Sequence, residues 1–281
     1  MNAAGRDQRQ GSGSLPPFSR RLHGWFMAYV RRYMRRHFHA FRLLKAGAGE
    51  ADRPVIADQP VIFYSNHPGW WDPLTFLFLG ERLFPGRMVY GPIDAGALGK
   101  YKFLERIGFI GIEPGTFAGS ARFLRMARAA ARRSDVIFWI TSQGEFTDPR
   151  ARPLTIRPGI GHALAARREG LVVPLAVEYP FWNERCPEIL VAFGPALRID
   201  EARGRSAADW TVILERALEA AQDRLAAAAQ GRDPAAFTTL LAGRVGVGFV
   251  YDLVRRLSAF LKGRRFDASH GGESAADETP R

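Results

Sequence analysis

Short apolar runs alternate with segments of helical periodicity between residues 60 and 230, and this alternation most constrains the fold. The runs are rich in Val, Ile and aromatic residues, as in strands buried on both faces. The predicted strands are Pro60–Asn66, Arg87–Tyr90, Ile107–Ile112, Val136–Ile140, Leu171–Tyr179 and Ile189–Phe193. The predicted helices are Leu74–Phe84, Ser120–Arg133, Gly161–Glu169 and Asp209–Gln230. The pattern predicts the α/β class, as a single domain with a central mixed β-sheet flanked by helices.

The segment from Phe18 to Lys45 has a different character. Aromatic and aliphatic residues recur there at steps of three and four, arginines fill the gaps, and no acidic residue is present. Two interpretations are open: an amphipathic helix lying in a membrane interface, or a helix packed on its own domain with its arginines in solvent. One-sided aromatic residues without compensating acids favour an N-terminal amphipathic membrane-interface helix.

The charge of the chain points to anionic partners. The 281 residues carry 40 Lys plus Arg against 28 Asp plus Glu, a formal net charge of +12. Such an excess of positive charge favours binding to phosphate groups, whether on nucleic acid, on lipid headgroups or on a substrate. Because eight of the basic residues lie between Phe18 and Lys45, the rest of the chain is only mildly cationic. No helix-turn-helix, zinc-finger or single-strand-binding motif is found, so an anionic membrane surface is favoured and nucleic acid is not expected.

Several classes of protein are excluded by composition. The single cysteine, Cys186, rules out an internal disulfide framework and a cysteine-based zinc cluster, and we predict no metal. No stretch approaches the roughly 18 apolar residues that span a bilayer. Residues Met1–Ser14 are polar and Gly-rich, unlike a signal-peptide core. We therefore expect a peripheral or monotopic protein on the cytoplasmic face of a membrane.

The predicted organisation has five parts. A flexible leader covers residues 1–17, and the basic amphipathic helix covers 18–45. The α/β domain covers 46–231. A C-terminal helical extension covers 232–266, because Val247–Phe266 is again basic and amphipathic, and residues 267–281 are predicted to be a disordered tail.

The most promising pair of residues for catalysis is His67 and Asp72. His67 directly follows a predicted buried strand, at the carboxyl edge where α/β sheets place their ligands. The turn between the two residues can bring the Asp72 carboxylate to the imidazole, which would leave the other ring nitrogen free as a general base. Asp72 has an alternative role as the N-cap of the helix that begins near Pro73. No nucleophilic Ser or Cys motif accompanies the pair, so deprotonation of a substrate hydroxyl is the expected task.

Four sequence blocks resemble those of the glycerolipid acyltransferases, the lysophosphatidate acyltransferase-like family. Asn66-His67-Pro-Gly-Trp-Trp-Asp72 resembles the first block, Asn-His-x4-Asp. Gly108-Phe-Ile-Gly-Ile-Glu113-Pro114 resembles the second, and Ile140-Thr-Ser-Gln143-Gly144-Glu145-Phe146-Thr147 the third. Leu171-Val-Val-Pro174-Leu-Ala-Val resembles the fourth. The blocks follow the family's order and cover a little under half of the chain.

The resemblance implies an O-acyltransferase that moves a fatty acyl group from a thioester to a lipid hydroxyl. His67 would be the general base and Asp72 its orienting partner. Acyl-CoA or acyl carrier protein would be the donor, as a co-substrate with no further cofactor. The acceptor would be a lysophospholipid or a non-phosphate lipid such as a glycolipid. The alternative from composition is a non-enzymatic basic protein that binds anionic membrane or nucleic acid.

The resemblance also nominates residues for substrate binding. They are Asn66, Glu113, Gln143, Gly144, Glu145, Phe146 and Pro174, with Pro174 shaping the pocket. Pro114 and Phe146 stand where the family commonly has arginines that bind the acceptor phosphate, and Gln143 replaces the usual glutamate. Arg150, Arg152 and Arg157 are candidates to replace these arginines, because an anion requires guanidinium groups within reach rather than at one position. The other possibility is that these three lie on a solvated loop.

Overall fold

The computed structural model describes residues 14–47, 52–56, 58–202 and 204–246. The strands are β1 (Ala40–Leu44), β2 (Val61–Ser65), β3 (Met88–Asp94), β4 (Phe109–Ile112), β5 (Val136–Thr141), β6 (Leu171–Glu178), β7 (Ile189–Phe193), β8 (Leu197–Arg198) and β9 (Phe237–Ala242). The α-helices are α1 (Arg20–His37), α2 (Asp72–Leu83), α3 (Ala95–Lys100), α4 (Phe117–Ala130), α5 (Gly159–Ala165) and α6 (Ala207–Gly231). The predicted α/β class with a central mixed sheet is confirmed.

All nine strands belong to one sheet, whose order is β4-β3-β5-β2-β6-β7-β1-β9, with β8 pairing the start of β6. The five strands from β4 to β6 in this order are parallel. β7 runs antiparallel to β6 and parallel to β1, and β9 is antiparallel to β1. Strand β5 lies between β3 and β2 although it follows both in sequence. The chain therefore leaves β2 toward one side of the sheet and later returns to β6 on the other side.

Helices cover both faces of the sheet, because the central strands are buried on both sides. Phe63 and Trp139 belong to the core under α1 and α2, and their neighbours Tyr64 and Phe138 belong to the core under α4, α5 and α6. Helix α1 contributes the fully buried Met27 and Val30. Burial of a side chain of this kind stabilises the fold by about 1.5–3 kcal/mol, so α1 is an integral part of the domain. None of the helices in the described ranges combines the length and the apolar content needed to cross a membrane.

The prediction of one helix from Phe18 to Lys45 is wrong in its last part. Helix α1 ends at His37, and residues Ala40–Leu44 form β1, in which every side chain is buried. Arg42, expected to face lipid phosphates or solvent, forms a buried ion pair with Glu188 of the β7 region at 3.0 Å. The helical spacing of Phe38, Phe41 and Leu44 is also compatible with a strand buried on both faces, where all positions are apolar or paired.

The prediction of a C-terminal helical extension over residues 232–266 is also wrong for residues 232–246, which the structure describes. Pro234–Ala236 form one 3₁₀ turn, and β9 follows and pairs with β1. β9 covers an edge that β1 would otherwise expose. The Val247–Phe266 stretch, the tail 267–281 and the first thirteen residues of the leader lie outside the described residues.

The N-terminal caps of α6 and α4 can be compared with the predicted ones. Ser206 and Asp209 form the capping box that begins α6. Helix α4 begins earlier than predicted, because Thr116 and not Ser120 is its cap, with Oγ1 accepting a hydrogen bond from the Gly119 N–H at 2.9 Å.

Candidate active site

His67 lies where the carboxyl ends of β2 and β5 meet. The chain crosses over at this point, which creates the crevice in which parallel sheets bind ligands. The two strand ends are joined by Ser142, whose N–H and hydroxyl both donate to the carbonyl of Ser65, at 2.9 and 2.8 Å. His67, two positions after Ser65, is thereby held at the edge of the sheet.

The His67 imidazole and the Asp72 carboxylate are in direct contact. Nδ1 of His67 lies 2.5 Å from Oδ2 of Asp72, and the Gly69 N–H donates to the same oxygen at 3.3 Å. Asp72 is the first residue of α2, but the N-cap is Trp71 and no side chain caps the helix. The Asp72 carboxylate therefore serves His67 rather than the helix end. A carboxylate at Nδ1 selects the tautomer with a lone pair on Nε2, as a general base requires.

Asp72 is fully buried and has a second side-chain partner. The Tyr179 hydroxyl donates to Oδ1 of Asp72 at 2.5 Å. Burial raises the pKa of the Asp72 carboxyl, while the hydrogen bonds from His67 and Tyr179 act in the opposite direction. Both carboxylate oxygens are therefore occupied by donors, which compensates for their removal from water.

The backbone around His67 is held by two amide side chains. Oε1 of Gln143 accepts a hydrogen bond from the His67 N–H at 2.9 Å. Asn66 bridges to β6, since its Nδ2 donates to the Val177 carbonyl and its Oδ1 accepts from the Val177 N–H, each at 2.9 Å. Asn66, predicted to bind substrate, is buried and its amide is used inside the protein. Asn66 and Gln143 thus position His67.

A cavity of about 1380 Å³ extends from His67 along the edge of the sheet. Its walls are mainly apolar and include Phe76 and Leu77 of α2, Trp139 of β5 and Phe109 of β4. This volume exceeds the range of roughly 300–1,000 Å³ that is usual for sites of small ligands. The cavity is therefore large enough for a long apolar chain together with a second group near His67.

Large exposed aromatic side chains surround this cavity, and we call them the aromatic rim. They are Trp25, Tyr29, Trp70, Tyr101, Phe103, Phe117 and Phe146. Phe117 is the most exposed at 90%, and the Phe146 ring lies 4.5 Å from the His67 ring. Large apolar side chains gathered around one opening mark a surface for an apolar partner rather than scattered exposure.

Arg157 alone among the described Lys and Arg residues lines the cavity. Its Nε donates to the backbone carbonyl of Gln143 at 3.2 Å. Gly144, with a φ of +72°, lies directly under this side chain, and a Cβ there would come within 2.3 Å of the Arg157 Nε. No acidic side chain pairs with Arg157 within the described ranges, so the cation is available to a ligand.

Arg150 and Arg152, predicted to bind substrate, do not line the cavity. Arg150 pairs with Asp148 at 2.6 Å on the exposed surface, and Arg152 pairs with Asp223 of α6. Their charges are matched by neighbouring carboxylates, which corrects the prediction. Of the three candidate arginines, only Arg157 lines the cavity that His67 also lines.

The remaining predicted residues divide into two groups. Glu113, Gly144 and Phe146 line the cavity. Glu145 is exposed and outside the cavity, and Pro174 lies on the opposite face of the sheet, against Gly194 under α6. Alternation along β6 explains the position of Pro174, because Val173 and Leu175 face the α1 and α2 side. Pro174 therefore does not shape the cavity.

Two contributions to the site were missed from the sequence. The predicted strand Leu171–Tyr179 ends at Tyr179, and this position at the carboxyl edge of the sheet is the signal that could have linked Tyr179 to the site. The α1 residues Trp25 and Tyr29 are predicted to face a membrane, and the sequence pattern gives no connection between them and the His67 site.

Within the described ranges, no cluster of His, Cys, Asp and Glu side chains is arranged to hold a metal ion. No protein-family model matches the chain, and neither does any curated protein sequence.

Proposed function

We propose that this protein is an O-acyltransferase that moves a fatty acyl group from a thioester to the hydroxyl of a lipid acceptor. The observation that carries the proposal is the 2.5 Å His67–Asp72 contact on the wall of a large apolar cavity. The four blocks that resemble the glycerolipid acyltransferases support the same reaction. Both donors that the sequence suggested, acyl-CoA and acyl carrier protein, remain candidates because they present the same thioester.

His67 acts as the general base. Its Nε2 removes the proton of the acceptor hydroxyl while that oxygen attacks the thioester carbonyl carbon. The carbon–sulfur bond breaks, the ester carbon–oxygen bond forms, and the leaving thiolate takes the proton from the imidazolium. The products are an ester and a free thiol. Asp72 stabilises the positive charge that the imidazole carries between the two proton transfers.

Arg157 makes an acceptor with an anionic group near its hydroxyl the favoured substrate. Its guanidinium lies beside Gly144, and Gln143, whose carbonyl it binds, also holds the backbone of His67. An anion on Arg157 would therefore be fixed relative to the base through a short series of contacts. A neutral glycolipid acceptor, which the resemblance also allows, is disfavoured because it would leave this cation of the cavity wall without a counter-charge.

The aromatic rim is proposed to face a lipid surface, from which acceptor and product exchange with the cavity. Aromatic residues are enriched where protein meets the membrane interface. Four arginines of α1 without a partner inside the described residues, Arg21, Arg32, Arg35 and Arg36, lie on the same helix as Trp25 and Tyr29. Arginines at this position would add attraction to anionic headgroups.

The proposal is tested by incubating the full chain with long-chain acyl-CoA or acyl carrier protein and mixed lipid acceptors. Free thiol release and the ester product, identified by mass spectrometry, should rise together in equal amounts. His67→Gln should reduce both by at least about 1,000-fold, since general-base catalysis and its orientation are lost together.

The matched control is His39→Gln, which changes a histidine outside the cavity, bonded to the Arg244 carbonyl. This variant should retain turnover. Equal turnover by His67→Gln and the unmodified protein would exclude the mechanism, and absence of ester with every donor and acceptor would exclude the function.

A further inference from the structure

The Tyr179 side chain completes a hydrogen-bonded chain behind the imidazole. Its hydroxyl donates to Oδ1 of Asp72 at 2.5 Å, so it has no proton left for Thr75. The Thr75 hydroxyl, 3.0 Å away, must therefore be the donor to the Tyr179 oxygen. The order of donation is Thr75 to Tyr179 to Asp72, and the other carboxylate oxygen receives the Nδ1 proton of His67.

We infer that Tyr179 is a positioning residue that sets the basicity of His67 through Asp72. This inference rests on the proposed function for its catalytic meaning, but the effect on the imidazole exists without any substrate. A hydroxyl that donates to Oδ1 fixes the rotation of the carboxylate, so that Oδ2 points at Nδ1. It also draws negative charge away from the carboxylate, which weakens the hold of Asp72 on the His67 proton.

The surroundings favour a strong effect. Tyr179 is packed between Trp71 and Phe38, at ring centroid distances of 5.3 and 6.1 Å. Burial and the neighbouring Asp72 carboxylate hold the pKa of the Tyr179 hydroxyl well above its usual range, so it remains a donor. Hydrogen bonds in a poorly solvated network of this kind are stronger than in water.

Few other charged groups compete with this chain of contacts. The titratable groups in contact with Asp72 are His67 and Tyr179, from the β2 end and the β6 end. The charged or titratable side chains that share the cavity wall with His67 are Asp94, Glu113, Arg157 and His162, together with the phenols of Tyr29 and Tyr101. None of them contacts Asp72, so a change at Tyr179 should be transmitted to His67 through Asp72.

The test is a pH titration of the His67 imidazole, monitored by NMR of the full chain without ligands. It compares the unmodified protein with Tyr179→Phe. The midpoint should move upward by about half a pH unit or more in Tyr179→Phe, because Asp72 then holds the proton more strongly. The acid limb of the pH–rate profile should move in the same direction, and kcat should fall about tenfold with little change in KM.

Tyr64→Phe is the matched control. It removes a buried phenol hydroxyl that donates to the Leu214 carbonyl at 3.0 Å, on the other face of the sheet. It should cost comparable stability and leave the imidazole midpoint unchanged. A second substitution, Tyr179→3-fluorotyrosine, keeps the ring and strengthens the donor, so it should move the midpoint downward.

An unchanged midpoint in both Tyr179 variants, or a shift of equal size in Tyr64→Phe, would overturn the inference. Because the imidazole titration needs no substrate, it is decided even if no acyl transfer is found. Conversely, acyl transfer with an unchanged midpoint would support the proposed function and reject the role of Tyr179.

Discussion

The Arg157 guanidinium is attached to the backbone carbonyl of Gln143 by a 3.2 Å hydrogen bond from Nε, and the Gln143 side chain accepts the N–H of His67 at 2.9 Å. A single residue thus connects the cavity's arginine to His67, the proposed general base. In the proposed mechanism, this relationship constrains the distance between an anionic group bound to Arg157 and an acceptor hydroxyl at His67. Arg157 differs in this respect from Arg150 and Arg152, which form ion pairs with Asp148 and Asp223.

Arg157→Met should raise the KM for an anionic acceptor by about tenfold or more, with a smaller effect on kcat. The methionine keeps much of the side-chain volume and removes the charge-assisted hydrogen bonds, which are the stronger class. Initial rates against acceptor concentration, at constant donor, give the measurement. Arg150→Met is the control, because Arg150 is exposed and paired with Asp148. Equal KM values for Arg157→Met and the unmodified protein would show that the acceptor does not use Arg157.

Gly144→Ala should impair acceptor binding through Arg157. At a φ of +72° an alanine is strained, and its Cβ would lie within 2.3 Å of the Arg157 Nε, so the guanidinium must move. Gly86→Ala introduces the same kind of strain at a φ of +90°, but no atom lies within 4 Å of its Cβ position. Each variant should lose about 1 kcal/mol of stability, measured by urea unfolding. Only Gly144→Ala should raise the KM of the acceptor.

Asp72→Asn should abolish most activity without reducing the stability of the fold at neutral pH. Burial raises the pKa of the Asp72 carboxyl in the folded state. The folded state therefore holds this proton at higher pH than the unfolded chain, whose aspartates titrate near about 3.9. The stability that Asp72 contributes falls as pH rises above that value. The difference in unfolding free energy, unmodified protein minus Asp72→Asn, should be larger at pH 4.5 than at pH 7.5, and the reverse trend would contradict this account.

Much of the fold was readable from the sequence, because the parallel core consists of strands whose apolar runs are bounded by helices or turns. β7 spans Ile189–Phe193 as predicted, and the capping box at Ser206 begins α6. β1 and β9 were not predicted as strands. Their pairing joins residues that are about two hundred positions apart, and local periodicity contains no signal for such a contact.

The candidate site could be predicted from the sequence only in part. The His67–Asp72 pair follows from a short loop, so its spacing in the sequence is enough to suggest the contact. The ion-pair partners of the arginines are distant in sequence, and local patterns do not reveal them. Arg31 pairs with Glu81 of α2, and Arg42 pairs with Glu188. The absence of acids between Phe18 and Lys45 therefore did not imply that its cations are free. Which of Arg150, Arg152 and Arg157 reaches the cavity depends in the same way on α6, which supplies the partners of Arg152.

The aromatic rim should mediate binding to lipid vesicles. Phe117→Ser removes its most exposed ring, and the partition coefficient onto vesicles of mixed neutral and anionic phospholipids should fall about tenfold, since transfer of a phenylalanine side chain is worth about 1.5–3 kcal/mol when complete. Flotation of the full chain with vesicles gives the measurement. Phe181→Ser is the matched control, because Phe181 is 64% exposed and lies outside the cavity; equal losses in the two variants would show that the rim has no special role.

The buried pair of Arg42 and Glu188 should stabilise the β1–β7 edge without taking part in catalysis. The two side chains are almost inaccessible to solvent, and Arg42 also donates to Thr239 of β9 at 2.9 Å. Glu188→Gln leaves the guanidinium buried without its counter-charge, and such a change costs about 3–5 kcal/mol. The double variant Arg42→Met with Glu188→Leu should recover most of this loss, because it leaves no uncompensated charge. Urea unfolding of the single and double variants measures both effects. Turnover per folded molecule should be unchanged, since neither residue lines the cavity. A double variant as unstable as Glu188→Gln would show that the edge depends on the ion pair itself.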